Sequence, residues 1–572
     1  MLILGLHPGY HDGCAALYED YDLLAAVAQE RLTRRKIDGG RVPTEAMAEV
    51  FRISGRSPAE VGAVVLGRGV FPSRYFTHLT LGRQLESLVR RRLNKEKHKS
   101  MEREAMRALR TDSEGMFDGP RFLRDHGLPA GAAVRFFNHH YAHALPTLFH
   151  TDWPDALLYT ADGGGDNAQY SHRLFRDGRL TDLFGGDSDL LGRTRIDSLG
   201  LAYGFATQAL GFQINKHEGK LTGLAAYGQP HLAEALAQRF AIDELGVISS
   251  DFIDNRAMKT FIFDWARDQK REDVAASVQK VLEDMILESV RRLLARTGVR
   301  HLGLSGGVFA NVRLNQRLAE ELPVDEIFVY PAMSDQGLAA GGVLQYLLER
   351  DGLATWLSRR WRLDHLYYGG SYEDTADTVL GSDPRFVKVE GAPVATAARL
   401  IHEGRIVAIF ARGMEYGPRA LGARTIMAAP IDPTINQTLN DRLERSEFMP
   451  FAPVVREDDA EAIFDLGPVK TYAARFMTTT CRVRDAWRDR IPATVHVDGT
   501  ARPQVIQRAP NPLYYDIVGA YAALSGIPVL INTSFNVHEE PIINTPQECA
   551  RALGDGRVDY VVTEQAVYAR VV

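Results

Sequence analysis

Three short apolar runs open the chain and are separated by polar turns. They lie at Ile3–Leu6, Cys14–Tyr18 and Leu23–Ala28, and the segments between them carry glycine, proline and acidic residues. Apolar runs of this length between turn residues predict three consecutive β-strands.

The same pattern returns far along the chain. Apolar runs at Ala156–Ala161, Ala168–Phe175 and Leu180–Phe184 are separated by turns at Asp162–Asp166 and Arg176–Gly178. Two copies of one strand–turn pattern predict a duplicated fold. Two unrelated β-meanders would give the same pattern, and the sequence leaves both interpretations open.

Two more glycine turns each stand between an apolar run and a helical pattern. One is Ser305–Gly307, between the run His301–Leu304 and the helical spacing of Asn311–Leu322. The other is Met333–Gly337, between Ile327–Tyr330 and an Ala/Gly-rich segment. A glycine turn between a strand and a helix offers backbone N–H groups to phosphate. Together, the glycine turns predict a nucleotide cleft between two halves.

The pattern changes in two places. Residues 83–110 are strongly basic with leucines at helical spacing, which predicts a solvated helix with one packed face; an anion-binding lid is the alternative. Around residues 350–370 the pattern loosens, and strands then alternate with helices, the strands lying at Arg405–Phe410, Val529–Ile531 and Tyr560–Val562. The sequence therefore predicts an α/β fold with two domains, residues 1–356 and residues 363–572.

The overall charge excludes some classes of partner. The 572 residues carry a formal net charge of −6 and a pI near 6.3, so the chain has no global attraction to nucleic acid or to an anionic membrane. We therefore expect neither as a partner. Cys14, Cys481 and Cys549 form no CxxC pair, which suits a reducing cytoplasm. Neither a signal peptide nor a transmembrane helix is expected.

Histidines carry the first chemical pattern, in the stretch NHHYAHA at residues 138–144. On a helix, His139 and His143 would share one face, one turn apart, whereas His140 would point elsewhere. Two such imidazoles can bind one metal ion, with Asp335 as an acidic third ligand. Iron(II), zinc and manganese all suit this donor set. A pair of packed histidines is the alternative.

Arginines and a polar strand end carry the second pattern. Arg419 and Arg424 flank the turn that Gly417-Pro418 begins, and Arg502 follows the stretch VDGTA. Guanidinium groups suit phosphate or carboxylate. Asn532, Thr533 and Ser534 follow an apolar strand, where they could form an oxyanion cradle or an ordinary polar turn. Taken together, these residues favour a small-anion site.

These motifs, in this order, resemble the NodU/CmcH carbamoyltransferase family over nearly the whole chain. The stretches that carry the resemblance are NHHYAHA at 138–144, SGGVFAN at 305–311, GPRALGAR at 417–424, FMPFAP at 448–453, VDGTAR at 497–502 and NTSFN at 532–536. The resemblance implies a first domain similar to TsaD, of the actin-like ATPase and sugar-kinase superfold, which agrees with the duplicated strands. It implies a second domain similar to YrdC.

The resemblance also implies an activity. The second domain would take carbamoyl phosphate and ATP, with Mg²⁺ on the triphosphate, and form carbamoyl-adenylate and pyrophosphate. The first domain would transfer the carbamoyl group to a hydroxyl of a small molecule. Since carbamate is unstable in water, a closed site that excludes water is useful for this chemistry.

Residue roles follow from the same resemblance. His139, His143 and Asp335 correspond to metal ligands, with iron(II) as the family precedent, and His11, Asp12 and Lys36 correspond to acceptor-side transfer residues. The remaining correspondences are two sets: a nucleotide cradle of Gly163, Gly164, Gly165, Lys220, Ser305, Gly306, Gly307 and Asn311, and a carbamoyl phosphate site of Arg419, Arg424, Arg445, Arg502, Asn532, Thr533 and Ser534. His11 is the candidate general base, because an imidazole titrates near neutrality.

One departure from the family pattern concerns the anion site. Many relatives carry a basic residue two positions before Arg445, where this chain has Leu443, and an arginine where this chain has Met449. Either Arg442 or Arg445 then substitutes, or the anion is bound differently.

Three other functions stay open at this point. A tRNA-modifying enzyme would share the TsaD and YrdC likenesses, but it predicts a basic RNA-binding surface that the net charge does not favour. A nucleotide-dependent switch of the actin or heat-shock type would not need Arg419, Arg424 and Arg502. A sugar kinase is the third alternative.

Overall fold

The computed structural model describes residues 1–77, 97–192, 197–445 and 449–571. Its strands form three main sheets, two in the first part of the chain and one in the second.

The first sheet contains the three strands predicted at the start of the chain. Its strands are β1 Leu2–His7, β2 Cys14–Glu19, β3 Asp22–Ala28, β4 Val61–Gly67 and β7 Ala133–Phe137, and β5 Val70–Pro72 pairs separately with β6 His98–Ser100. The order is β3-β2-β1-β4-β7. The pairs β1–β2 and β2–β3 are antiparallel, whereas the pairs β1–β4 and β4–β7 are parallel.

The second sheet repeats this topology. Its strands are β8 Ala156–Gly165, β9 Ala168–Arg176, β10 Arg179–Phe184, β13 His301–Ser305 and β14 Glu326–Val329, and the short pair β11 Phe240–Ile242 and β12 Ile248–Ser250 lies apart. The order is β10-β9-β8-β13-β14, with the same antiparallel and parallel pairings. The predicted duplication is therefore confirmed, because two unrelated meanders would not share the added parallel strands.

The third sheet lies in the second part of the chain. The strands of this part are β15 Phe386–Val389, β16 Val407–Phe410, β17 Arg424–Ala428, β18 Ala452–Arg456, β19 Phe464–Asp465, β20 Cys481–Val483, β21 Thr500–Ala501, β22 Gln504–Ile506, β23 Val529–Ser534, β24 Tyr560–Val562 and β25 Val567–Arg570. The order of the sheet is β15-β25-β24-β16-β17-β23-β18-β22, and β19, β20 and β21 form a separate small sheet. The α/β class predicted from the sequence is confirmed, while the proposed division at residues 356–363 stays a prediction.

The helices pack against these sheets. In the first part they are Glu30–Thr33, Thr44–Ser54, Met101–Ala108, Gly119–Asp125, His139–Phe149, Leu199–Ala209, Glu218–Ala225, Ala233–Ala237, Asn255–Ala266, Arg271–Thr297, Val312–Glu321, Leu338–Asp351 and Leu353–Leu357. In the second part they are Glu373–Ser382, Pro393–His402, Ile435–Arg442, Glu457–Ile463, Gly467–Ala474, Asp485–Arg488, Pro512–Ser525 and Pro546–Gly554. Within the described ranges, no helix is long and apolar enough to cross a membrane.

Two helices meet closely between the first two sheets and position the site described below. A Cβ on Gly341 would lie 1.8 Å from the carbonyl oxygen of Ala142, so only glycine permits this approach. The helix His139–Phe149 is therefore held directly against the helix Leu338–Asp351. The first carries the histidine pair, and Asp335 lies just before the second.

The basic segment 83–110 only partly follows its prediction. Residues 78–96 lie outside the described part of the chain, residues His98–Ser100 form strand β6, and a helix spans only Met101–Ala108. The predicted continuous helix is therefore wrong at residues 98–100, where Lys99 is buried in a β-pairing with Phe71.

Candidate functional site

The histidine pair lies on one helix face, as predicted. Asn138 caps the helix His139–Phe149, its side chain accepting a hydrogen bond from the Tyr141 amide at 2.8 Å. The rings of His139 and His143 have centroids 4.8 Å apart. His140 points into the second sheet, its Nδ1 lying 2.8 Å from Thr160 Oγ1, so it takes no part in the pair.

Two carboxylates complete this group. His139 Nε2 and His143 Nε2 lie 3.4 and 3.2 Å from Asp162 Oδ2, and 3.7 and 3.6 Å from Asp335 Oδ1. All four ligand atoms fall within 4.8 Å of one another, which suits one divalent ion. Sequence reasoning predicted Asp335 and missed Asp162. Its position at the end of a buried apolar run, before three glycines, was the available signal.

The charges of this group support a bound cation. Burial would raise the pKa values of Asp162 and Asp335, but nearby histidines outweigh burial and lower both values. Burial would lower the pKa of His139, but the Asp335 charge and the Asp162 hydrogen bond raise it to about 9. Asp335 Oδ1 is buried and has no hydrogen-bond partner among the described residues. A polar atom left in this state is costly, and a metal ion would satisfy it.

The predicted acceptor-side residues adjoin this group. His11 Nδ1 lies 3.2 Å from Asp12 Oδ2, and the Asp12 carboxylate also accepts hydrogen bonds from Ser334 Oγ at 2.9 Å and Gln336 Nε2 at 3.3 Å. Asp12 therefore links His11 to the loop that carries Asp335. Lys36 lies near Glu539, in the second part of the chain: burial would raise the pKa of Glu539, but the His217 hydrogen bond and then the Lys36 charge lower it to about 2.

The glycine turns gather around the same four residues. A Cβ on Gly165 would lie 2.3 Å from the His139 ring, so this glycine makes room for a ligand side chain. The Gly163 amide donates to Asp162 Oδ1 at 2.6 Å, and Ser305 Oγ lies 3.5 Å from His143 Nδ1. Gly306 has φ +101, as a tight turn requires. Gly164 and Gly307 belong to the same two turns.

Two other predicted nucleotide residues have additional partners. Asn311 caps the helix Val312–Glu321, its Oδ1 accepting the Leu314 amide at 3.1 Å while its Nδ2 donates to Gln279 Oε1 at 2.8 Å. Lys220 Nζ lies 3.4 Å from His538 Nε2, in the second part of the chain. Their roles in nucleotide binding stay predictions.

His538 belongs to a second group of possible metal ligands. His217 Nε2 lies 2.6 Å from Glu539 Oε1, and His538 Nε2 lies 3.3 Å from the same oxygen. However, Lys216 Nζ is 3.5 Å from Glu539 Oε2. His217 Nδ1 also accepts the Gln213 amide, so Nε2 carries the proton in the neutral ring. These contacts favour an ion-pair cluster over a cation site.

In the second part, two groups of predicted anion residues lie along β23: Arg445 at the end of the strand with Thr533 and Ser534, and Asn532 beside the turn that carries Arg419. Arg445 donates to Thr533 Oγ1 at 2.7 Å and to Ser534 Oγ at 3.0 Å, at the end of β23. Asn532 is buried on the same strand, and its Nδ2 donates to the carbonyl of Ala420 at 3.0 Å, next to Arg419. Arg502 lies just before β22, which only β18 separates from β23.

The departure at Leu443 has a structural explanation. Leu443 is 1 % exposed in the core, and Arg442 Nη1 donates to Asp559 Oδ1 at 2.7 Å. Of the two arginines considered from sequence, Arg445 is the one that reaches the polar strand end. Met449 packs against the helix Glu218–Ala225, where a Cβ on Gly223 would lie 2.6 Å from Met449 Cγ.

Arg424 differs from the other arginines. Its side chain is fully buried, and its guanidinium donates to the main-chain carbonyls of Ala411, Arg412, Ala423 and Gly370 at 2.7 to 3.3 Å. The guanidinium carbon lies 3.9 Å from the centre of the Phe410 ring. This position does not support the prediction that Arg424 contacts carbamoyl phosphate directly.

Hydrogen bonds join the two parts of the chain close to Asp335 and to the turn that carries Arg419. Arg31 Nη2 donates to the Gly417 carbonyl at 2.7 Å, and the Tyr416 hydroxyl donates to the Gln336 carbonyl. Since Gln336 follows Asp335, the turn that carries Arg419 lies against the loop that carries a predicted metal ligand.

Comparison with known proteins identifies the family. The model described as "Carbamoyltransferase N-terminus" matches residues 85–344, and "Carbamoyltransferase C-terminus" matches residues 398–570. Nodulation protein NolNO of Sinorhizobium fredii is 30 % identical over 94 % of this chain and 75 % of its own length. Nodulation protein NolO of Bradyrhizobium diazoefficiens is 32 % identical over 71 % of this chain and 74 % of its own length.

Among solved structures, HypF of T. kodakarensis overlays 62 % of this chain and 48 % of its own, with a TM-score of 0.34 and 12 % identity. That value is too low to bear on activity. The two family models and the nodulation proteins suffice: the chain belongs to the carbamoyltransferase family and is a carbamoyltransferase.

Proposed function

We propose that this carbamoyltransferase is ATP-dependent and acts on a hydroxyl of a small molecule. Water hydrolyses carbamoyl phosphate to phosphate and carbamate, and a carbamate oxygen then attacks the α-phosphorus of ATP and displaces pyrophosphate to give carbamoyl-adenylate. The acceptor hydroxyl then attacks the carbamoyl carbon, its proton is removed, and AMP leaves. A natural-product tailoring step suits this chemistry.

One observation carries the proposal. His139, His143, Asp162 and Asp335 converge within 4.8 Å, and the His11–Asp12 pair connects to the same loop through Ser334 and Gln336. A candidate electrophilic centre and a candidate proton carrier therefore lie together, beside glycine turns suited to phosphate. This combination matches acyl transfer better than a nucleotide switch, which needs no such pair.

The four side chains suit a divalent metal, and iron(II) agrees with two imidazoles and two carboxylates. Bound there, the metal would stabilise negative charge on a carbamoyl or phosphoryl oxygen. The protein itself holds the ligands in place: Ser305 Oγ lies 3.5 Å from His143 Nδ1, and the His139 amide donates to Asp166 Oδ2 at 2.7 Å.

His11 is suited to hold a proton near the acceptor. Burial lowers its pKa, but the Asp335 charge and the Asp12 hydrogen bond outweigh burial and raise the pKa to about 10. The imidazole is therefore protonated at neutral pH while Asp162 and Asp335 keep their charges. Neutralising these carboxylates would lower the pKa of His11 towards the range of a general base.

In the second part, Arg419 and Arg502 would neutralise the phosphate of carbamoyl phosphate and then the triphosphate, on which Mg²⁺ normally sits. Arg445 supports the polar strand end through Thr533 and Ser534. The Tyr416 and Arg31 contacts bring this region against the first part. That arrangement suits passage of a labile intermediate over a short path.

A tRNA acceptor remains the second candidate because of the TsaD and YrdC likenesses. The net charge of −6 favours a small-molecule acceptor, since an RNA-binding surface requires many lysines and arginines.

Pyrophosphate release and mass spectrometry test the proposal. We expect pyrophosphate only when ATP and carbamoyl phosphate are both present, and a carbamoylated product in a panel of hydroxylated small molecules. Arg502→Ala should abolish pyrophosphate release, whereas His139→Ala should mainly impair transfer. Absence of pyrophosphate from the wild-type enzyme, or equal loss of both steps in each variant, would contradict the mechanism. Detection of RNA as the sole carbamoylated product would instead identify RNA as the acceptor.

A further inference from the structure

The turn that carries Arg419 folds around a buried carboxylate. Glu415 is 1 % exposed, and its Oε1 accepts the backbone amides of Leu421, Ala423 and Arg424 at 2.8, 2.7 and 3.1 Å. A carboxylate that accepts several backbone N–H groups makes strong, charge-assisted hydrogen bonds. Glu415 therefore fixes the inner side of this turn, between Gly417 and Arg424.

The carbonyls of the turn are held from outside by other segments. Asn532 Nδ2 donates to the Ala420 carbonyl at 3.0 Å, and the Leu421 carbonyl accepts from Tyr367 OH at 2.9 Å and Gln504 Nε2 at 2.8 Å. Residues 417–423, all within the described part of the chain, belong to no helix or strand. The shape of the turn therefore depends largely on side chains, with Glu415 accepting two of its amides and that of Arg424, the first residue of β17.

Arg424 supports the same turn from the other end. Its guanidinium donates to the carbonyls of Ala411 and Ala423 at 2.7 and 3.0 Å while its own amide donates to Glu415. Burial lowers the pKa of Arg424, and the Glu415 charge opposes this effect. Two buried, opposite charges thus bond to the backbone of the turn, and these hydrogen bonds offset part of the cost of burying them, while Glu415 Oε2 and Arg424 Nε lack hydrogen-bond partners among the described residues.

Arg419 stands between these two residues and is less buried than either. Its neighbour Ala420 is bonded to Asn532, and Gly417 is bonded to Arg31, so the backbone on both sides is fixed. A guanidinium on a fixed backbone loses less freedom when it binds an anion.

We propose that Glu415 is a positioning residue, which with Arg424 shapes the turn so that Arg419 meets the phosphoryl group of carbamoyl phosphate. This inference rests on the proposed function of the second part. It changes the role of Arg424 from anion contact to support, and it assigns a role to Glu415, which sequence reasoning passed over.

A double-mutant cycle tests the proposal in the full-length enzyme. Glu415→Ala should lower kcat/KM for carbamoyl phosphate about 100-fold, the order expected for a 1 Å misplacement. The KM for the acceptor found in the panel should change less than the KM for carbamoyl phosphate, because the turn meets the acceptor side only through the Tyr416 and Arg31 hydrogen bonds described above. Glu415→Gln, which keeps an oxygen for the three amides, should recover most of the loss. Glu403→Gln, an exposed glutamate paired with Arg399, is the matched control and should change nothing.

The cycle with Arg419 separates positioning from simple destabilisation. If Glu415 acts through Arg419, then Glu415→Ala should have little further effect in an Arg419→Ala background. Losses that multiply fully, or an unchanged KM for carbamoyl phosphate in Glu415→Ala, would overturn the proposal. Should Glu415→Ala fail to fold, Glu415→Asp enters the same cycle. A wild-type enzyme that releases no pyrophosphate would instead refute the proposed function, so the two failures are distinct.

Discussion

Buried charge is used in opposite ways in two regions: the predicted metal cluster of the first part, formed by His139, His143, Asp162 and Asp335, and the arginine turn of the second part, residues 417–424. In the predicted metal cluster, two imidazoles and two carboxylates face one another, and Asp335 Oδ1 has no hydrogen-bond partner in the described residues. In the turn, Glu415 and Arg424 bond to main-chain amides and carbonyls. In the first arrangement the charged side chains face one another and suit a bound ion, whereas in the second they bond mainly to backbone, with only Glu415 Oε2 and Arg424 Nε of these two side chains lacking a hydrogen-bond partner among the described residues.

The energetics of the two regions differ for this reason. Charged groups removed from water and left facing each other are costly unless an ion or ligand completes them. Charged groups that bond to backbone in a turn compensate the same cost within the protein. A charged residue in a sequence motif therefore does not reveal by itself whether it binds substrate or shapes the site.

Removing one side chain of the predicted metal cluster should give the largest effect on activity. We expect His139→Ala to lose the bound metal and at least about 100-fold in carbamoyl transfer, since even residues that only support ligands cost 10- to 100-fold. Metal content per protein and product formation measure this.

His140→Asn is the matched control for this prediction. It removes a neighbouring histidine that contacts Thr160 and the Ala168 carbonyl, so it should cost stability but keep the metal. A folded His140→Asn protein without metal, or a His139→Ala protein with full metal, would contradict the assignment of the two histidines.

Replacing the two arginines of the turn one at a time should give a smaller effect, on stability for Arg424 and on substrate binding for Arg419. Arg424→Ala removes a donor from four carbonyls, of which only those of Ala423 and Gly370 keep a backbone amide among the described residues, and removes the positive charge near buried Glu415, so we expect a loss of about 3 kcal/mol in unfolding free energy. Arg419→Ala should lose about 1 kcal/mol or less, while its KM for carbamoyl phosphate rises. Denaturant unfolding of both variants decides: equal losses would mean that Arg424 is not a support.

The sequence predicted what depends on local spacing. The i, i+4 relation of His139 and His143 follows from helical periodicity, and the duplicated strands follow from apolar runs, so both could be predicted. Asp162 and Glu415 were missed because their partners come from segments distant in sequence or folded back on themselves. The burial of Arg424 was equally unreadable, since GPRALGAR contains two arginines and no local difference between them.

The metal affinity of the predicted cluster should rise with pH, and its pH dependence reports the protonation state of His139. Without metal, the pKa of His139 is raised to about 9, so its imidazole holds a proton at neutral pH that a metal must displace. Between about pH 6.5 and pH 8.5, we expect the affinity to rise roughly tenfold per pH unit for each proton released. Zn²⁺ titrations in competition with a chelator measure this. An affinity that does not change over this range would mean that His139 is already neutral.

The smallest expected effect concerns Asn311, which belongs to the predicted nucleotide cradle but resembles the arginine turn in its contacts. Its side chain caps the helix Val312–Glu321 and bonds to Gln279 in both directions. We expect Asn311→Ala to lose about 1 kcal/mol in unfolding free energy, the usual cost of a lost cap. Asn311→Ser, which keeps an oxygen for the Leu314 amide, should lose less. ATP affinity should change by less than about threefold in both. If both variants instead bind ATP at least about tenfold more weakly with normal stability, Asn311 contacts the nucleotide directly and is more than a helix cap.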